Sequence, residues 1–220
     1  MYSFRQRADT TVVDEPLYAH YLSTTGRRHP GDAAVLDAQE NDGAVVVREI
    51  LLGGYGTPVV FFKQMAKHLV GLDRSFLSAG PNILLTRHPH EMLTSLQHQL
   101  PDATLDDTGF LELVQILDDV VAAGEEPIVV DAKTLLLDPP QVLAELCRRL
   151  DLEFDDAMLR WPAGPKPEDG VWAPHWYQAV HRSTGFAPWE PKEAALATHL
   201  DAVVREALPL YERLQAWGIG

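Results

Sequence analysis

Three short apolar runs constrain the fold of this chain more than any other feature of its sequence. They are VVFF (59–62), NILL (82–85) and PIVV (127–130), and a charged residue follows each of them within two positions. Segments with helical periodicity follow the second and third runs. Continuous apolar strands that alternate with helices are typical of parallel sheets with both faces covered. The sequence therefore predicts an α/β protein in which helices flank a three-layer parallel sheet.

The remaining elements follow from periodicity and from helix start and stop signals. Strands are predicted over 10–16, 57–65, 82–87 and 127–136. Helices are predicted over 17–26, 31–40, 89–100, 109–124 and 139–152, and a further one after residue 40, although a Val-Val-Val run weakens it. The apolar stripe of the 109–124 helix comprises Leu111, Val114, Leu117 and Val121.

The C-terminal third of the chain differs in composition. Residues 161–191 are rich in Pro, Gly, Trp and His, which predicts a long functional loop around one short helix. Residues 192–218 are predicted to form a C-terminal helix interrupted near Pro209. We expect the whole chain, 1–220, to form a single domain.

Charge and hydropathy exclude some classes of partner. The formal net charge is −14, which opposes non-specific binding to nucleic acid or to anionic lipid. No apolar run reaches the roughly 18–20 residues of a membrane span, and no basic-then-apolar leader opens the sequence. The single cysteine, Cys147, is predicted to be a buried small hydrophobe. We expect a soluble, cytoplasmic protein that binds neither nucleic acid nor membranes.

The third predicted strand ends in an arginine at the start of TRHPHEMLTSL (86–96). Arg87 would lie at the carboxyl end of the strand, where ligands bind in such sheets. Pro89 suits the first turn of a helix, whose free amides could bind phosphate together with the arginine. Ser95 on the second turn could add a donor. The alternative is that Arg87 caps a neighbouring helix and Ser95 is a solvated residue.

Two other predicted strands also end in groups that can do chemistry. Glu15, followed by Pro16, is a candidate general base; its alternatives are a helix cap or a surface acid. Asp14 should point to the opposite face of the strand and be structural. Lys63 ends a strand that is otherwise apolar, and one interpretation is a snorkelling lysine at a sheet edge.

The loop over 164–186 combines aromatic and cationic side chains, which suit stacking on a base and contact with phosphate. The alternative is that its tryptophans are core residues. Metal binding is not expected, because His88 and His90 straddle a proline on different faces and His175 and His181 lack a third partner. The loop residues considered are Lys166, Trp172, His175, Trp176, His181 and Arg182.

Segments along nearly the whole chain resemble the sulfotransferases that use PAPS (3′-phosphoadenosine 5′-phosphosulfate). LLTRHPHEMLTSL (84–96) resembles their 3′-phosphate-binding element, and IVVDAKTLLLDPPQVLAELCRRLDLEFDDAML (128–159) resembles the stretch that follows it. VVDEPLYAHYL (12–22) resembles the strand and Glu-Pro element in which several carbohydrate sulfotransferases carry a catalytic glutamate. KQMAKHL (63–69) and GPKPEDGVWAPHWYQAVHRSTGF (164–186) are similar to segments of a bacterial branch of the family.

The resemblance implies a P-loop NTPase-like fold in its sulfotransferase variant. It implies sulfuryl transfer from PAPS to a hydroxyl or amine of a small-molecule or carbohydrate acceptor, without a metal. Glu15 would be the base and Lys63 the cation on the sulfuryl group. The nucleotide would be bound by Arg87, Ser95, Lys166, Trp172 and Arg182.

The sequence departs from the family's pattern at its start. No Gly-x-x-x-x-Gly-Lys-Ser/Thr motif is present, and LGGYGTP (52–58) is predicted to be a turn. MYSFRQR (1–7) is similar to the helix that follows the 5′-phosphosulfate loop, so we expect the first strand and that loop to be missing. An enzyme and a truncated, non-catalytic relative that binds adenosine 3′,5′-bisphosphate or a protein partner both remain open. The absent Walker lysine disfavours a small-molecule kinase.

Overall fold

The computed structural model describes residues 1–191 and 195–219, which form a mixed α/β fold. The strands are β1 (Thr10–Asp14), β2 (Val59–Lys63), β3 (Ile83–Thr86) and β4 (Ile128–Asp131). The helices are α1 (Tyr18–Thr25), α2 (Asp32–Ala38), α3 (Gly43–Val46), α4 (Pro89–Leu96), α5 (Leu105–Thr108), α6 (Phe110–Ala122), α7 (Ala132–Leu137), α8 (Pro139–Arg149), α9 (Ala173–Trp176), α10 (Gln178–Arg182) and α11 (Asp201–Gln215). Short 3₁₀ turns and one π-helical turn (Val47–Leu51) complete the described elements.

The strands form two parallel pairs, each in a different compact unit. The first unit comprises 1–79 and 155–186 and contains β1 and β2, which pair in parallel. The second unit comprises 80–154 and 187–220 and contains β3 and β4, which also pair in parallel. Parallel pairing is confirmed, but sheets of two strands are smaller than the predicted three-layer sheet. That arrangement and the single domain stay predictions.

The core of the first unit forms around α1. Helix α1 ends at Gly26, whose φ of 66° is the left-handed conformation that glycine adopts without a Cβ clash. Strand β2 was expected to be buried, yet all five of its residues are only half-buried. Among the described residues it pairs with β1 alone. The core side chains are Tyr18, Ala19, Tyr21, Leu22, Val35 and Trp172.

In the second unit the two strands differ in burial. All four residues of β4 are buried, as an apolar run in a parallel sheet predicts. Strand β3 is not, because Leu85 is 60% exposed while its neighbour Leu84 is buried. Side chains alternate between the two faces of a strand, so Leu85 lies on a face that the described residues leave uncovered. Cys147 on α8 is fully buried, as predicted.

Two predicted elements of the second unit differ in detail from the structure. The strand predicted over 127–136 ends at Asp131, where the carboxylate accepts hydrogen bonds from the backbone N–H groups of Lys133 and Thr134 and so begins α7. On α6, Val121 is 43% exposed, because the buried stripe is shifted toward Ile116 and Val120.

The C-terminal third also differs. Helix α11 continues through Pro209 without a break, and Ala207 and Leu214 on either side of the proline are buried. Packing of the flanking turns offsets the missing hydrogen bond there. The 161–191 loop contains two short helices, α9 and α10, instead of one. Residues 192–194 of the predicted C-terminal helix lie outside the described residues. Among those that are described, no helix is both long and apolar enough to cross a membrane.

The two aspartates that cap α7 and α8 provide a matched test of this packing. Asp131 is buried and also accepts a hydrogen bond from the hydroxyl of Tyr211 at 3.2 Å, whereas Asp138 is an exposed cap. Asp138→Ala should lower the free energy of unfolding by about 1 kcal/mol. Asp131→Ala should lower it by about 2 kcal/mol, because it also removes the hydrogen bond from the hydroxyl of the half-buried Tyr211. Urea unfolding of both variants measures the difference, and equal losses would contradict this account.

Candidate functional site

The candidate site lies where β1 and β2 end side by side. The parallel register places Asp14 opposite Lys63, so both side chains lie at the carboxyl ends of the strands. Glu15 follows at once, and its N–H donates to the Lys63 carbonyl at 2.7 Å, which extends the pairing by one residue. The sequence Asp-Glu-Pro therefore places two carboxylates beside one lysine.

The backbone at Glu15 is strained. Its φ of 39° lies in the left-handed region, which is uncommon for a residue with a side chain. The Glu15 carbonyl accepts hydrogen bonds from the N–H of Tyr18 and the side chain of Gln39, both at 3.1 Å. Such strain costs about 1–3 kcal/mol and persists only where the surroundings enforce it, as at functional sites. The strained turn directs the Glu15 carboxylate onto the Lys63 ammonium.

Asp14 belongs to the same cluster and does not stand apart on the other face. Its side chain is 1% exposed and lies 3.7 Å from the Lys63 ammonium. The hydroxyl of Tyr177 lies 2.8 Å from both carboxylate oxygens and donates to them, and the N–H of Gly170 donates at 3.2 Å. Burial raises the pKa of Asp14, and Lys63 opposes the rise. Because residue 15 turns out of the strand, strict alternation no longer separates the two carboxylates.

Lys63 is the cation that holds the cluster together. It contacts Glu15, donates to the Tyr177 hydroxyl at 2.9 Å, and lies 5.1 Å from the centre of the Tyr177 ring. Burial lowers its pKa, and Asp14 counteracts this effect. Burial also raises the pKa of Tyr177, so the phenol remains protonated. We name Asp14, Glu15, Lys63, His68 and Tyr177 the carboxylate–lysine cluster.

His68 completes the cluster on the glutamate side. It lies on the 3₁₀ turn Ala66–Leu69 that follows β2, and it is 1% exposed. Its Nδ1 lies 3.8 Å from Glu15 Oε2. Burial, with the nearby charges of Lys67 and Lys63, lowers the pKa of His68 well below its usual range. The imidazole is therefore neutral near pH 7.

Tyr177 belongs to the part of the loop over 161–186, whose conformation is stabilised by contacts with the side chain of Asp169. Asp169 accepts hydrogen bonds from the Tyr2 hydroxyl at 2.8 Å and the N–H of Lys166 at 2.7 Å, and it pairs with His181 at 3.0 Å. Gly170 is required next to it, because a Cβ there would lie 2.1 Å from the Trp172 ring. The loop therefore presents Tyr177 to Asp14 in a fixed position.

The loop residues predicted to bind nucleotide have different environments. The Lys166 ammonium donates hydrogen bonds to the carbonyls of Pro162 and Gly164 at 2.7 and 2.6 Å. Trp172 is 2% exposed and packs in the core of the first unit, and its indole N–H donates to the Tyr177 hydroxyl at 3.4 Å. Arg182 is exposed at the end of α10. Their roles in nucleotide binding stay predictions.

Arg87 and Ser95 belong to the second unit. Arg87 follows β3 directly and is half-buried. Pro89 occupies the first turn of α4, as predicted, and the His88 ring accepts a hydrogen bond from the His90 N–H at 3.3 Å. Ser95 is half-buried on α4. Their proposed contact with a phosphate stays a prediction.

The structure brings Glu15 and Lys63 together and adds three residues that the sequence analysis did not select. Tyr177 lies in the aromatic loop but was not distinguished from its neighbours there, and Asp14 was expected to be structural. His68 lies in the segment KQMAKHL (63–69), but no local signal there distinguishes it from its neighbours. Within 1–191 and 195–219, no group of three or more His, Cys, Asp or Glu side chains is placed to hold a metal ion.

The cluster combines a buried carboxylate that can accept a proton with a lysine that can contact an anion. Both groups lie at the carboxyl end of a parallel strand pair, where α/β proteins bind their ligands. A base and a cation placed together suit the transfer of an anionic group to a hydroxyl or an amine.

Because Lys63 is the cation beside two carboxylates, its removal should lower the free energy of unfolding by an amount that depends on pH. Lys63→Met leaves two buried carboxylates without a cation and should cost about 3 kcal/mol at pH 7. Asp14 has a raised pKa in the folded protein, and losing Lys63 raises it further. The folded variant therefore binds protons more tightly than the unfolded chain, and its free energy of unfolding falls as pH rises through the folded-state pKa.

Urea unfolding between pH 4 and pH 7 measures this effect. The deficit of Lys63→Met relative to the parent should grow with pH. Lys133→Met, at an exposed lysine in the second unit, is the control and should change stability by less than about 1 kcal/mol at every pH. A deficit of Lys63→Met that is constant with pH would refute the assignment of Lys63 as the counter-ion.

Comparison with known proteins places this chain in a family. A sulfotransferase domain model matches residues 1–218. Two Arabidopsis thaliana proteins, branched-chain-amino-acid aminotransferase-like proteins 1 and 2, are 42% and 40% identical to the chain over 98% of its length. The chain covers 39% and 38% of those proteins, about two fifths of their length.

Among solved structures, the chain is similar to the sulfotransferase domain from the Synechococcus PCC 7002 olefin synthase. The TM-score is 0.46 at 18% identity, over 90% of this chain and 74% of that one. The family assignment rests on the domain model, which covers almost the whole chain. The protein belongs to the sulfotransferase domain family.

Proposed function

We propose that this chain transfers a sulfuryl group from PAPS to a hydroxyl or amine of a small-molecule or carbohydrate acceptor. The observation that carries the proposal is the contact between the buried carboxylate of Glu15 and the ammonium of Lys63 at the carboxyl ends of β1 and β2. Family membership supplies the reaction class, and the cluster supplies a base and a cation for it.

In the proposed reaction Glu15 takes the proton of the attacking hydroxyl or amine. The acceptor atom forms a bond to sulfur while the bond between sulfur and the bridging oxygen of the 5′-phosphate breaks. Adenosine 3′,5′-bisphosphate leaves with the electron pair of that bond. Lys63 offsets the negative charge that develops on the bridging oxygen, and the transfer is in line.

Nucleotide binding by the residues that the sequence analysis selected is part of the same proposal. Arg87 and Ser95 would contact the 3′-phosphate, with the first turn of α4 contributing its free amides. Lys166 and Arg182 would contact the remainder of the nucleotide, and Lys166 would first release the loop carbonyls that it contacts. Trp172, buried beneath Tyr177, would support the site from within the core.

The finer architecture is proposed with the function. A three-layer parallel sheet of the P-loop NTPase-like kind within one domain agrees with the parallel pairing of both strand pairs. A cytoplasmic location is also proposed. An absence of binding to nucleic acid or to anionic membranes agrees with the net charge of −14.

A second candidate function is binding without transfer. The observation that favours it is that the sequence contains no Gly-x-x-x-x-Gly-Lys-Ser/Thr motif, which would supply backbone amides and a lysine for a phosphate loop. Such a protein would bind adenosine 3′,5′-bisphosphate, or a protein partner, and leave PAPS intact.

Calorimetric titration with adenosine 3′,5′-bisphosphate tests the nucleotide site. The parent chain should bind, and Arg87→Ala should lose about 2–3 kcal/mol, or about 30- to 150-fold in affinity, because a charged contact to phosphate is removed. Arg205→Ala, at an exposed arginine on α11 in the same unit, is the control and should bind as the parent does. Equal affinities of Arg87→Ala and the parent would remove Arg87 from the site.

Transfer is tested with PAPS labelled in the sulfuryl group and a mixture of phenol, sugar and amine acceptors. Glu15→Gln should lower the rate by about 10²- to 10⁴-fold, the usual contribution of a general base. Glu49→Gln, at an exposed glutamate paired with Arg48, should leave the rate unchanged. Binding of the bisphosphate without label transfer would favour the second candidate function.

A further inference from the structure

The side chain of His68 is fixed in one plane by two tyrosine rings. Tyr18 and Tyr21 lie three residues apart on α1, so both point from the same face of the helix. Their ring centres each lie 4.8 Å from the centre of the imidazole, at interplanar angles of 11° and 30°. Because both tyrosine rings stack against the imidazole, only the edge of the imidazole ring is left for hydrogen bonds.

The Nδ1 atom of His68 points to the candidate base. It lies 3.8 Å from Glu15 Oε2, and within the described part of the chain it has no hydrogen-bond partner. The side chains are 2% and 8% exposed, so water does not replace the missing partner freely. A shift of less than about 1 Å would bring the two atoms to hydrogen-bond distance.

The surroundings of His68 determine how many protons its ring carries and on which nitrogen. Burial disfavours a second proton on the imidazole, and the charges of Lys67, Lys63, His29 and His20 act in the same direction. The neutral ring therefore carries a single N–H. Glu15 contacts the Lys63 ammonium, and an ionised carboxylate only accepts hydrogen bonds. The tautomer with its proton on Nδ1 is the one that suits this neighbour.

We propose that His68 is a positioning residue that donates its Nδ1–H to the Glu15 carboxylate and holds it in place when Lys63 contacts the anionic sulfuryl donor. This inference rests on the proposed function, in which Lys63 contacts the transferring sulfuryl group as well as the Glu15 carboxylate. Once Lys63 turns to the donor, Glu15 would otherwise lose its contact with the ammonium. A neutral donor holds the carboxylate and still lets it take up a proton, which a permanently paired cation would oppose.

Nitrogen-15 NMR of the histidine side chains tests the contact without any need for activity. In the parent chain, Nδ1 of His68 should give a pyrrole-type resonance and Nε2 a pyridine-type resonance. Glu15→Gln should shift both toward a mixture of tautomers, and Glu49→Gln should leave them unchanged. A pyridine-type Nδ1 in the parent, or no change in Glu15→Gln, would overturn the proposal.

Kinetics separate positioning from a structural role. The His68→Asn variant retains an N–H donor close to the position of Nδ1. The His68→Leu variant retains only a side chain of similar volume, without a donor. His68→Leu should lower kcat by up to about 100-fold, as a misplaced catalytic group does, while KM for PAPS changes less than about twofold. His68→Asn should recover most of the loss. Circular dichroism and thermal unfolding verify that both variants fold.

The outcomes also distinguish this inference from the proposed function. Equal losses of kcat in His68→Asn and His68→Leu would show that the side chain only fills space, and would overturn the positioning role. If the parent transfers no label, the proposed function fails. The NMR experiment then still decides whether His68 donates to Glu15.

Discussion

The ammonium of Lys63 is the interaction on which the site depends. Two neighbouring carboxylates at the end of one strand would repel each other, and each would lose hydration on burial. The parallel register places a lysine directly opposite the first of them, and the turn at Glu15 directs the second onto the same ammonium. The β1–β2 pair therefore ends in a charge cluster that is stable only as a whole.

The surroundings of this cluster are aromatic and hydrogen-bonded, and they limit how its members move. Tyr177 ties Asp14 to Lys63 through one hydroxyl, and the two rings of Tyr18 and Tyr21 hold His68. The loop that carries Tyr177 is fastened by Asp169. Fixed neighbours of this kind can hold a base close to its working geometry, which is the condition for efficient proton transfer.

Local signals were sufficient for much of the fold and for part of the site. The four predicted strands and the helices before the C-terminal one begin close to the expected residues, because Asp, Pro and Gly occupy the caps and turns that their chemistry suits. The C-terminal helix was predicted from residue 192 and begins at Asp201. Errors arose where tertiary packing decided the outcome, as in the exposure of Leu85 and the unbroken helix at Pro209. Glu15 and Lys63 were identifiable since each stands at the end of an apolar strand.

The sequence by itself determined the α/β class, the parallel pairing and the polar residues at the ends of the strands. Those properties follow from hydrophobic periodicity and from turn chemistry, which act over a few residues. Only the tertiary structure decided that Tyr177 contacts Asp14 across 163 positions of the chain, and that His68 lies between two tyrosines. Such contacts depend on how distant segments pack, and no local pattern encodes the distance between their side chains.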